Sequence, residues 1–89
     1  MRDIDQIIEQ LKASIPDVRV TQLRVAHPGV DDDGLWFITI PDRTGEVQIE
    51  SSDGNCPFLI ESDLDMERLH GRTIDEVVQV VRSLFAQSR

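Results

Sequence analysis

The chain has 89 residues, 39% hydrophobic and 29% charged, with 17 Asp and Glu against nine Lys and Arg for a formal charge of −8. This is the composition of one globular domain spanning residues 1–89, too acidic for nucleic-acid binding by counterion release and without an apolar run long enough for a membrane span. A single cysteine allows no internal disulfide, and Met1 to Asp5 lack the basic-then-apolar layout of a secretory signal, so a cytoplasmic location is expected.

Ile4, Ile7, Ile8, Leu11 and Ile15 recur at helical spacing, which predicts an amphipathic first helix. Asp3 is its expected N-cap, Gln6 completes a weak capping box, and Pro16 stops it. Val18 to Val25 reads as a strand in which Val18 and Val20 share a parity that Leu23 and Val25 do not. A bulge near Thr21–Gln22 would reconcile the two halves. Leu35–Ile40, Glu46–Ser51 and Pro57–Glu61 are three further strands.

Pro41 to Thr44 reads as a four-residue loop that sets Ile38 opposite Val47 and Trp36 opposite Ile49. Asp53-Gly54 is the pattern of a two-residue type I′ turn. That turn would set Glu50 opposite Pro57, Ile49 opposite Phe58, Val47 opposite Ile60 and Glu46 opposite Glu61. Leu64 to His70 reads as a helical turn or an ordered loop. Thr73 with Glu76 forms a capping box, after which Ile74, Val77, Val78, Val81, Leu84 and Phe85 line one face of a final helix. The expected fold is α+β, in the order α-β-β-β-β-α: an antiparallel four-stranded meander with the N- and C-terminal helices packed on one face.

Negative charge is concentrated in the β region. Asp31 to Glu67 hold eleven carboxylates and one base, Arg43, a net of −10. The expected register points Trp36, Ile38 and Ile40 toward the helices and Phe37 away from them. The outer face then carries Leu35, Phe37, Glu46, Gln48, Glu50, Leu59 and Glu61, with Phe37, Gln48 and Leu59 in one cross-strand row and Glu46 paired with Glu61. Apolar residues bordered by carboxylates form a candidate partner-binding surface.

The remaining motifs carry no recognisable chemistry. Asp31-Asp32-Asp33-Gly34 fails the EF-hand pattern, since aligning Gly34 with the loop glycine leaves Gly29 and Ile40 where acids are required. Cys56 is the sole thiol, its neighbours are acidic, and such surroundings raise rather than lower a thiol pKa. His27 and His70 have no second ligand at metal-binding spacing. Carboxylates on an open sheet stay solvated, so no acid pair of glycosidase type is expected. No catalytic residue, metal or cofactor is therefore assigned.

The run Gly34 to Phe37, then Pro41-Asp42, then Gly45 to Phe58, resembles a family of small uncharacterised bacterial proteins. The similarity continues through Thr73 to Val78. The resemblance implies an α+β fold and supplies no activity. In type, though not in motif, the chain is also similar to immunity proteins of bacterial toxin systems. The expected function is a non-enzymatic acidic module that binds a basic protein partner through its sheet face and hairpin loops. The alternatives are a structural homodimer and, least supported, a small hydrolase.

Overall fold

The computed structural model describes residues 2–23, 34–63 and 65–87. Helix α1 (Asp3–Ser14) is followed by strands β1 (Arg19–Gln22), β2 (Leu35–Thr39), β3 (Val47–Glu50), β4 (Phe58–Ser62) and β5 (Asp65–Gly71), then helix α2 (Ile74–Gln87). All neighbouring strands are antiparallel and the order is β1-β2-β3-β4-β5. The α+β class and the meander agree with the sequence pattern. The strand count does not: there are five, because Asp65–Gly71 is an edge strand rather than a helical turn or loop.

The reason lies in the pairing of that strand. Ile60 faces Leu69 and Ser62 faces Asp65, so two steps along β4 match four along β5. Such an irregularity breaks the period-two alternation by which a strand is recognised, and leaves Met66 and Leu69 at a spacing of three.

One sheet face and both helices enclose the core. Trp36, Ile38, Ile40, Val47, Ile49, Phe58 and Ile60 from the sheet are buried with Ile4, Ile7 and Leu11 of α1 and Val77, Val81, Leu84 and Phe85 of α2. The Trp36 and Phe58 rings meet edge to face, 6.2 Å between centroids. The β2–β3 register is the expected one, with Trp36 opposite Ile49 and Ile38 opposite Val47.

The β3–β4 register is not. Val47 faces Ser62, Gln48 faces Glu61, Ile49 faces Ile60 and Glu50 faces Leu59. The pairing is displaced by two residues from a two-residue Asp53-Gly54 hairpin, so every side chain keeps its face but changes its partner. Ser51 has already left the ladder with β4. Its N–H donates to the Gly34 carbonyl at 2.8 Å, and its hydroxyl proton is shared between the Asn55 carbonyl and Asp53 Oδ1. Gly54, at φ +76°, then turns the chain onto the start of α1.

That contact explains the longer connection. The first N–H groups of a helix have no partner within it. Here Ile4 N–H donates to the Gly54 carbonyl and Asp3 N–H to Asn55 Oδ1, both at 2.9 Å. Asp3 Oδ2 in return accepts from the Cys56 N–H at 2.9 Å. Asp3 is thus the first residue of α1, with Arg2 as N-cap and Asp5, not Gln6, accepting the Arg2 N–H at 3.2 Å. At α2 the expected cap is present: Thr73 Oγ1 accepts the Glu76 N–H at 3.1 Å.

In β1 the pairing from Arg19–Thr39 to Gln22–Trp36 runs without a bulge, and Leu23 N–H continues it to the Leu35 carbonyl. The change of parity instead means that Leu23 stands on the outer face, 36% exposed. Val25, the other residue of that parity, lies outside the described residues, as do Asp31 to Asp33, His27 and Leu64.

Candidate functional site

Directly opposed residues of an antiparallel pair project to the same side of a sheet. The pairings therefore build the face away from the helices row by row. One row runs Thr21, Phe37, Gln48 and Glu61. The next runs Leu35, Glu50, Leu59 and His70, with Leu23, one residue past the end of β1, beside Leu35. Leu35, Phe37, Glu46, Gln48, Glu50, Leu59 and Glu61 all belong to this face. Glu50 is exposed and the other six are half-buried.

Two relationships expected within the site are corrected by the two-residue displacement of β3 on β4. Leu59 neighbours Glu50, not Gln48, so the row Phe37–Gln48–Leu59 does not form. Glu46 and Glu61 are not cross-strand partners, because Glu61 faces Gln48. The like-charge opposition that would have weakened the ladder is therefore absent. The Glu46 N–H donates to Asp63 Oδ1 at 2.7 Å and its carbonyl accepts from the Ser62 hydroxyl at 3.1 Å, which ties the end of β3 to the β4–β5 turn.

Three neighbours of these residues on the outer face were not legible in the sequence. Arg68 and His70 reach the face because Asp65–Gly71 is a strand. Leu23 reaches it because β1 runs without a bulge. Arg68 Nε lies 3.6 Å from Glu61 Oε1, both side chains well exposed. On the opposite edge, Arg19 pairs with Thr39. The face is thus zoned, with carboxylates on the central strands and guanidinium groups at both edges. Of the described carboxylates in the acidic stretch, Glu46, Glu50 and Glu61 stand on this face, while Asp42, Asp53 and Asp63 lie in the loops and turns between strands.

Elsewhere the chemistry is sparse. The Cys56 thiol is pushed up to about 11 by burial first and then by the Asp3 carboxylate that accepts its proton, with Glu76 adding to the effect. A thiol so held is a poor nucleophile near neutrality. Among the described residues no cluster of three His, Cys, Asp or Glu could hold a metal, and no helix is long and apolar enough to cross a membrane. An open groove of about 430 Å³ lies where α1, the β2–β3 loop and α2 end, lined by Ile15, Ile40, Phe85 and the charged residues Asp17, Asp42, Arg43 and Arg82. Arg43 there donates to the Phe85 carbonyl at 2.6 Å, satisfying a last-turn acceptor of α2.

Comparisons with protein-family models, with curated proteins and with solved structures find no match.

Proposed function

We propose that this protein is a non-enzymatic binding module whose outer sheet face docks a basic protein surface. The observation that carries the reading is the juxtaposition of Glu46, Glu50 and Glu61 with half-buried Leu35, Phe37 and Leu59 on one face that neither helix covers. Apolar groups supply the area that drives association, and carboxylates select a cationic partner and raise its arrival rate. Neutralisation of a basic toxin, as immunity proteins achieve, is one instance of such a role.

The test is charge reversal. The triple variant E46K/E50K/E61K should lose a basic partner captured from the host at low salt, and association of the purified pair should slow by about tenfold or more. Equal association rates for the two proteins at low ionic strength would reject the reading.

Pairing of two copies through a sheet edge is the weaker reading. β1 is only four residues long, while β5 is irregular and contains Asp65, Glu67 and Arg68. Short, kinked and charged edges resist strand addition. Light scattering at micromolar concentration distinguishes a dimer from a monomer that keeps its face free.

A further inference from the structure

The three carboxylates of the outer face have different neighbours, and the difference singles one out. Glu61 lies against Arg68 at 3.6 Å. Glu46 Oε1 is 3.5 Å from the Gln48 amide. Glu50 is exposed, and its carboxylate has no hydrogen bond or ion pair among the described residues. It stands directly between Leu35 on β2 and Leu59 on β4, with Phe37 on the diagonal. Leu23, the exposed large hydrophobic residue among those described, extends the same row to the edge.

We infer that Glu50 is the anchor of the docking face and that its partner is an amphipathic helix presenting one Arg or Lys between two apolar side chains, laid across the strands along the row Leu35–Glu50–Leu59. This rests on the binding reading given above and names the partner's chemistry. Three arguments support it. A carboxylate flanked by apolar groups loses its water when those groups are covered, so its ion pair is stronger than one at a wet rim. Among the described residues the Glu50 carboxylate has no partner, whereas the charge of Glu61 is already offset in part by Arg68 and one oxygen of Glu46 already accepts from Gln48. Spacing is the third argument. Adjacent strands are about 4.8 Å apart, close to the rise of about 5.4 Å per helical turn, so side chains one turn apart meet consecutive members of the row.

A synthetic alanine-rich helical peptide with Leu, Arg and Leu at positions i, i+4 and i+7 is the probe, and a second peptide with Gln in place of Arg is its control. Amide chemical shifts of the isotope-labelled full chain locate binding, and calorimetry gives its strength. The Arg peptide should shift Leu35, Glu50 and Leu59. Glu50→Gln should weaken it about tenfold, the equivalent of about 1.4 kcal/mol, and leave the Gln peptide unaffected. Glu46→Gln and Glu61→Gln should each change it by less than about threefold. If either matches or exceeds the Glu50 effect, the anchor is wrong while the acidic face survives. If the Arg peptide leaves the shifts of this face unmoved, the helical partner and its Glu50 anchor are wrong, and the binding reading stands or falls on the charge-reversal test alone.

Discussion

Asp3 and Asn55, 52 positions apart, close the β3–β4 loop onto α1 through a backbone N–H to side-chain carbonyl bond of 2.9 Å. The bond is reciprocated by the neighbouring Cys56 N–H, which donates to the Asp3 carboxylate. Helix nucleation and hairpin geometry are thereby coupled: the loop satisfies donors that α1 cannot satisfy itself. Asn55→Ala should cost about 1–2 kcal/mol, as loss of a helix cap does, and lower the melting temperature by roughly 4–8 °C per kcal/mol. Urea denaturation of the two proteins measures it. An unchanged midpoint would mean that water replaces the Asn55 carbonyl without penalty.

Two glycines are held by close approach. A Cβ on Gly34 would lie 2.2 Å from the Ser51 carbonyl oxygen, and one on Gly71 would lie 2.3 Å from Val77 Cγ2. The first obstacle is backbone, fixed by the Ser51 N–H donating to the Gly34 carbonyl, whereas the second is in part a side chain. Gly34→Ala should therefore destabilise at the upper end of the overpacking range of about 1–3 kcal/mol. Gly71→Ala should couple to position 77, so that the double variant Gly71→Ala/Val77→Ala loses less than the sum of the single losses. Thermal unfolding of the four proteins of that cycle gives the coupling directly.

The two faces of β2 differ in what they hold. Trp36 is 3% exposed and touches Phe58, while Phe37 is half-buried on the outer side. Trp36→Ala should cost about 3–5 kcal/mol, a large share of the about 5–15 kcal/mol available to a domain. Phe37→Ala should cost well under half as much. A reversed order in chemical denaturation would mean that the helices cover the other face.

Stability should decline at both ends of the pH scale for identifiable reasons. The Asn55 N–H, then the Ser51 hydroxyl, hold the Asp53 carboxyl below its ordinary 3.8. A lowered pKa in the folded state contributes stability above the unfolded value, so this contribution is complete above pH 3.8 and is lost as the pH falls further. The Cys56 thiol is raised from 9.0 to about 11, so its contribution is complete below pH 9.0 and is lost as the pH climbs toward 11. Cys56→Ser should flatten the alkaline limb of a stability–pH curve without changing the acid limb. Iodoacetamide should alkylate the folded thiol far more slowly at pH 8 than it alkylates the urea-unfolded chain.

Local periodicity by itself determined the two helices, the parity of Trp36, Ile38, Val47, Ile49, Phe58 and Ile60, and the outward placement of Phe37 and the three glutamates, because burial on one side imposes repeats of 3.6 and 2 that can be read residue by residue. The Pro41–Thr44 loop was short enough to set its own register as well. Only the tertiary structure decided which outer residues are neighbours. The Asp53-Gly54 pattern implied a tight hairpin, but the donors of α1, far away in the chain, draw Gly54 and Asn55 into a longer loop and move β4 by two residues. That displacement separates Glu46 from Glu61 and sets Glu50 between Leu35 and Leu59. Likewise, β5 takes its form from pairing with β4 across an irregular ladder, an interaction for which its own sequence carries no period.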